Sequence, residues 1–140
     1  MCGISGVIGD VNKPAISRMI KAQIHRGPDG SGVWSDNDCL ATFGHCRLSI
    51  IELSNAGHQP MSFADERLWI TYNGELFNFK ELRLELKGYG HKFISESDTE
   101  VVLAAYLQWG PKCVKKFRGM FAFALADKNP PKGWPNFILA

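Results

Sequence analysis

The sequence predicts an α+β fold in which two sheets stack and helices lie outside them. Short strand-like runs outnumber helical stretches, three helical stretches are interspersed among them, and several strands are apolar on both faces. A strand with no polar face has to be covered on both sides, which stacked sheets flanked by helices achieve. At 140 residues the chain suits one compact domain with a real core.

Each element has its own justification. "GISGVIG" (3–9) is a short apolar run between glycines and reads as a buried strand. Ile16, Met19, Ile20 and Ile24 then recur at helical spacing, with Asn12 as cap and Pro14 tolerated in the first turn. "HRGPDGSG" is a loop by composition, "GVWS" and "CLATFGHCRLSI" read as strands, and "ELSNAGHQPM" is another loop. "RLWITY" is a strand that Asn73-Gly74, a strong hairpin signal, would end. "FKELRLELK" reads as a helix stopped by "GYG", and "HKFI" as a brief strand. "DTEVVLAAYLQW" is a strongly apolar helix closed by Gly110-Pro111. "GMFAFALAD" is a near-continuous apolar strand, with "NFILA" its hairpin partner across a Pro-rich turn. The last residue, Ala140, falls inside an apolar strand, an open edge that marks the sequence as an expected fragment.

Charge and cysteine usage exclude several classes. Sixteen basic residues face fourteen acidic ones with no basic cluster, which gives no support for a nucleic-acid or membrane-surface role. No apolar run approaches membrane-spanning length, and the N-terminus lacks a basic segment followed by an apolar stretch, so the chain is expected to be neither anchored nor secreted. Cys2, Cys39, Cys46 and Cys113 contain no C-x-x-C pair, and Cys39 and Cys46 are an odd number apart within one expected strand. A disulfide framework and a zinc site are therefore disfavoured, and a reducing cytoplasm is the expected location.

Five residues stand out chemically. If Met1 is removed, Cys2 carries a thiol and a free α-amine together. That amine has an ordinary pKa of about 7.7–8.0, well placed to take the thiol proton. Gly3 would leave room beside the sulfur. Arg47 lies in the apolar stretch "FGHCRLSI". It reads as a structural ion pair, or as a guanidinium gripping a substrate carboxylate. Asn73 and Gly74 are a turn, or an oxyanion hole built from an amide and a backbone N–H. Ser97 and Glu100 have capping-box spacing, which leaves Asp98 to serve the helix dipole or to pair with an ammonium. His25 has no role that spacing assigns. His45 beside Cys46 suggests a metal site, but neighbours on a strand point apart, so metal binding is disfavoured.

Taken singly, each feature has an adequate structural explanation. Together "MCGI", "HRGPDG", "GHCRLSIIELSNAGHQPM", "YNGELFN" and "SDTEV", in this order, resemble the glutamine-hydrolysing domain of the asparagine synthetase family. That domain is a class II glutamine amidotransferase of the N-terminal-nucleophile hydrolases, and the likeness covers essentially the whole chain. It implies a four-layer αββα sandwich of two antiparallel sheets with outer helices, residues 1–140 forming one glutaminase domain. It implies that Cys2 is nucleophile and, through its amine, base; that Asn73 and Gly74 form the oxyanion hole; and that Arg47 binds the α-carboxylate. Asp98 would hold the α-ammonium, with Glu75 a further substrate contact.

The substrate implied is L-glutamine, cleaved through a Cys2 thioester without a cofactor. The ammonia would reach aspartate through a channel to an ATP- and Mg-dependent synthetase half, and the resemblance leaves room for a homodimer. That half, with its S-G-G-x-D-S-type loop, is absent from this sequence. So is the arginine-rich turn expected after "FILA", and "KNPPKGWP" is longer than the family's usual connection. The domain is therefore expected to be C-terminally incomplete. Three alternatives remain open: a non-catalytic glutamine-binding or docking module, a peptidase of the same nucleophile class, and an amidotransferase for another acceptor such as a surface sugar acid. A retained Met1 would favour the first, and two charged readers for a free amino acid disfavour the second.

Overall fold

Alternation along the strands decides how the layers stack. The structure, a computed structural model, describes residues 2–38, 40–49 and 54–140. The expectations that concern Met1, Cys39 and residues 50–53 lie outside the described residues. One antiparallel sheet has the order β1 (Gly3–Ile8), β3 (Ala41–Arg47), β2 (Gly30–Asp36). The other has the order β4 (Met61–Phe63), β5 (Leu68–Leu76), β6 (Gly119–Asp127), β7 (Phe137–Leu139). Helix α1 (Lys13–Gln23) covers the first sheet; α2 (Phe79–Gly88) and α3 (Asp98–Trp109) cover the second. This is the α+β sandwich of antiparallel sheets with outer helices that the sequence predicts.

The strands apolar on both faces use the two faces differently. Along β6, Phe123 and Leu125 pack under α3, whereas Ala124 and Ala126 face Trp34, Ala41 and Phe43 of the first sheet. Large residues on one side fill the helix layer, and small ones on the other let the sheets approach. Along β5, Leu68, Ile70 and Tyr72 join the helix-side core, while Trp69 stacks on Trp34 at 5.1 Å and Thr71 donates to the Gly44 carbonyl at 3.0 Å across the sheets. Along β3, Phe43 points to the second sheet and Cys46 to α1, where it packs on Ile16 and Ile20. His45 and Cys46 thus face opposite layers, as adjacent strand residues must.

Local signals hold at most helix ends. Asn12 Oδ1 accepts from the Ala15 N–H at 3.0 Å, and Pro14 sits in the first turn of α1. Ile16 and Ile20 are buried, but Met19 and Ile24 are 40% and 48% exposed, so the apolar stripe of α1 is narrower than its sequence suggests. Helix α3 is buried continuously from Asp98 to Tyr106, as an all-round apolar helix must be. Gly110 ends it at φ +66, and a Cβ there would lie 2.5 Å from the Trp134 ring. The Pro-rich connection folds back through Trp134, whose ring meets Tyr106 at 5.3 Å.

The structure corrects three expectations. Asn73-Gly74 does not end its strand: β5 runs on to Leu76, and the hairpin turns instead at Ala64–Glu66, three non-glycine residues at positive φ. "HKFI" forms no strand. The segment 91–97 is held by side chains instead: Glu100 accepts from the Ile94 and Ser95 N–H groups (both 2.9 Å), and Arg83 donates to the Ser95 and Ser97 carbonyls (2.6 and 2.9 Å). Ser97 caps α3 by accepting from Thr99, but Glu100 reaches back to Ile94 and Ser95, so the capping box is not closed as expected. Gly3 has a packing role of its own. A Cβ there would meet the Gln23 side chain at 2.6 Å, so this glycine serves the packing of β1 against α1.

Candidate active site

The site exists because β4 is short. β4 pairs with β5 from Met61↔Ile70 to Phe63↔Leu68, so β5 from Tyr72 onward has no strand partner on that side. In an antiparallel strand the N–H and C=O of one residue point the same way, and alternate residues share a side. The Tyr72 N–H on the open side donates to Gln59 Oε1 at 2.7 Å, and the Tyr72 carbonyl lies 3.1 Å from His45 Nε2. Since a carbonyl only accepts, His45 carries its proton on Nε2 there. Two residues further, the Leu76 N–H donates to Asp98 Oδ2 at 2.9 Å. Gly74 lies between them in this alternation, so its N–H points to the same open edge. A side chain at this position is excluded, because a Cβ would come within 2.5 Å of the Met120 carbonyl and the Phe121 backbone.

Cys2 arrives from the opposite sheet. Its residue stands just before β1, where Arg26 Nε donates to its carbonyl at 3.2 Å. The thiol meets the backbone of Leu48: Sγ accepts from the Leu48 N–H at 3.4 Å and lies 3.7 Å from the Leu48 carbonyl. That strand end is pinned by the loop before β2, where Asp29 donates its N–H to the Arg47 carbonyl (3.0 Å) and accepts from the Ser49 N–H (2.8 Å). Gly27 makes this approach possible, since a Cβ there would fall 2.4 Å from the Cys46 carbonyl. Arg47 is half-buried rather than buried, and Nη2 donates to the Ser54 carbonyl at 2.9 Å. The cost of an isolated interior arginine therefore does not arise.

Asp98 is 5% exposed at the start of α3, and burial pushes its carboxyl up from the ordinary range. Tyr72 Oη donates to the same oxygen, Oδ2, at 3.1 Å, and this bond and that from Leu76 oppose the rise. Gln59 Nε2 donates to Thr99 Oγ1 at 3.3 Å, tying the segment before β4 to the first turn of α3. His45 is 1% exposed, and desolvation brings its pKa down to about 4. Among the described residues, its Nδ1 and Asn73 Oδ1 are both buried without a hydrogen-bond partner.

All six residues singled out from the sequence, Cys2, Arg47, Asn73, Gly74, Glu75 and Asp98, line one cavity of about 170 Å³. His45, Leu48, Gln59, Tyr72 and Thr99 line it too. His25 does not line it. Among the described residues no three His, Cys, Asp or Glu side chains converge as a metal site, and no helix is long and apolar enough to cross a membrane. Sequence reasoning missed Arg26, Asp29, Gln59, Tyr72 and Thr99. Arg26 and Asp29 lie in "HRGPDG", whose composition explains a turn without revealing what the turn braces. Gln59 and Tyr72 carry no spacing signal, because their contacts cross between distant segments.

The sequence model of the glutamine amidotransferase domain matches residues 1–133. The glutamine-hydrolysing asparagine synthetase 1 of Bacillus subtilis is 43% identical over 136 residues, which is 92% of this chain and 21% of that protein. Asparagine synthetase 3 of the same organism is 41% identical over 136 residues, again 92% of this chain and 22% of that protein. The chain thus spans about a fifth of the length of these curated relatives. Among solved structures, the glutamine phosphoribosylpyrophosphate amidotransferase of B. subtilis superposes with a TM-score of 0.77 at 19% identity. That superposition covers 91% of this chain and 35% of the other, and it establishes the fold.

Proposed function

The chain belongs to the glutamine amidotransferase domain family, and from that premise we propose that it hydrolyses L-glutamine to glutamate and ammonia in the Cys2 cavity. The observation that carries this reading is the convergence of a thiol, a guanidinium, a buried carboxylate and an open strand edge on one small cavity. An amino acid with a side-chain amide offers one group to each.

With Met1 removed, the Cys2 α-amine takes the thiol proton, and the thiolate attacks the side-chain carbonyl carbon. The new S–C bond places negative charge on the carbonyl oxygen, where the Gly74 N–H and the Asn73 amide donate. Rotation of the Asn73 amide by half a turn would bring its NH2 to the buried position now held by the unpartnered Oδ1. The C–N bond then breaks, the nitrogen takes the proton from the terminal ammonium, and ammonia leaves a thioester. Water, deprotonated by the same amine, attacks the thioester; glutamate departs and sulfur regains its proton.

Arg47 has five N–H donors, one of them on the Ser54 carbonyl, and its fork suits the α-carboxylate. Asp98 takes the α-ammonium, and Glu75 at the rim is a further substrate contact. The hydrolysis needs no cofactor. Because the relatives are named asparagine synthetases, we assign the ammonia to aspartate, through a channel, in an ATP- and Mg-dependent synthetase unit. The non-catalytic alternative predicts glutamine binding without turnover.

Glutamate release by the purified chain tests the reading. Cys2→Ala and an unremovable N-terminal tag should each abolish it. Full activity with the tag in place overturns the terminal-amine mechanism, and activity of Cys2→Ala overturns the nucleophile assignment.

A further inference from the structure

Asp98 does not stand alone in the cavity wall. Tyr72, 2% exposed, reaches it from β5, and every polar group of Tyr72 is committed: N–H to Gln59, carbonyl to His45, hydroxyl to Asp98. The backbone contacts tie the tyrosine to two segments of the cavity wall, so its hydroxyl arrives at a fixed place. It donates to Oδ2, and so does the Leu76 N–H. With two donors on Oδ2, and with the Thr99 and Asp98 backbone N–H groups also favouring the carboxylate, the carboxylate plane is set. We propose that Tyr72 is a positioning residue that aims the Asp98 carboxylate at the substrate's α-ammonium and holds it in the ionised form the ammonium requires. The proposal rests on the assignment of L-glutamine to this cavity.

The electrostatics agree with the geometry. Burial alone favours the neutral acid, and the phenol is one of the groups opposing it. The phenol itself stays protonated, since burial and the adjacent Asp98 drive its own titration well above the ordinary range. Toward an ionised Asp98, which only accepts, it is therefore the donor. The other titratable groups facing this corner are Glu75 on the same strand, Cys2 from the first sheet, and His45 and Arg47 from β3. A Glu75 charge would add to the pressure against ionisation, and Arg47 would relieve it. None of them occupies Oδ2. Removing the Tyr72 hydroxyl takes away a charge-assisted hydrogen bond, so Asp98 should stay protonated to higher pH.

Calorimetric binding of L-glutamine to the Cys2→Ala protein between pH 5 and 8 tests this without turnover. Tyr72→Phe in that background should weaken binding about tenfold near neutrality. It should also move upward the pH at which binding fades. Glutaramic acid, which has the carboxylate and amide but no α-ammonium, should lose nothing. Equal losses for both ligands, or an unchanged affinity and pH midpoint for L-glutamine, overturn the positioning role. No L-glutamine binding by the Cys2→Ala parent overturns the substrate assignment itself, a separate result. Should Tyr72→Phe fail to fold, the parent decides by NMR. A protected Tyr72 hydroxyl proton whose shift follows Asp98 titration supports the role, and one that ignores it overturns the role.

Discussion

At the scale of single residues, the proposed hydrolysis separates groups that hold glutamine from groups that act on it, and if it holds, kinetics should separate them too. Arg47 meets a charge that does not change during hydrolysis, so Arg47→Ala should raise the glutamine KM strongly and leave kcat nearly intact. Asn73 faces charge that appears only as the thiolate adds. Asn73→Ala should therefore lower kcat by about 10²–10³ with little change in KM. A KM effect without a kcat effect would remove Asn73 from the oxyanion hole. Gly74→Ala should abolish activity and destabilise the β5–β6 pair, because the added Cβ would run into the Met120 carbonyl and the Cα and Cβ of Phe121, none of which can swing away. The other two described cysteines are less reactive thiols: burial pushes the Cys113 thiol up to about 12 and raises that of Cys46, which packs from β3 against α1. Alkylation of the native protein should accordingly label Cys2 ahead of both, as peptide mapping would reveal.

At the scale of elements, the site depends on where pairing stops. β4 begins only at Met61, and Gln59 before it takes the place of a strand partner for Tyr72, so the edge beyond it stays open. Pairing is closed firmly at the other end of β5, where Arg67 grips the fully buried Asp127 through two bonds of 2.9 and 2.8 Å. Tyr106 Oη adds a third contact at 3.2 Å, which ties α3 to the end of β6. Breaking this network by Arg67→Ala would leave a buried carboxylate without its cation. We expect it to cost on the order of 3 kcal/mol in urea unfolding, and Tyr106→Phe to cost about 1 kcal/mol. An Arg67→Ala loss under about 1 kcal/mol would mean that solvent replaces the guanidinium. The element expected at 91–94 shows the complementary case. Its chain is held by Arg83 and Glu100 from two helices rather than by a ladder, so β-like residues there do not make a strand.

At the scale of the whole molecule, the buried His45 couples stability to pH. Unfolded, a histidine titrates near 6.5; in the fold it titrates at about 4. Between those values the unfolded chain holds a proton that the folded chain does not. The stabilising contribution is therefore complete above pH 6.5 and is lost as pH falls toward 4, up to about 3 kcal/mol. Asp98 works in the opposite sense, because its raised pKa makes protonation on acidification relieve a burial cost. Urea midpoints measured from pH 7.5 to 4 should fall, and His45→Gln should flatten the slope by removing the titrating ring. A slope unchanged by that substitution would place the acid sensitivity elsewhere.

The order of layers, the helix caps at Asn12 and Ser97, and the residue types of the site were legible because each rests on neighbours in sequence: periodicity, spacing and motif. Cys2, Arg47, Asn73, Gly74, Glu75 and Asp98 could be picked out along the chain, and they do line one cavity. What lies between them could not be read. That Asn73-Gly74 is open strand edge rather than turn depends on the β4 ladder stopping at Met61↔Ile70, three residues short of Asn73, not on the dipeptide itself. That Tyr72, Gln59, Arg26 and Asp29 brace the reactive groups depends on contacts across 13 to 26 residues. Local pattern governs which way a side chain leaves its own strand or helix. Only the packing of two sheets decides which backbone groups are left without a strand partner, and it is there that the cavity opens.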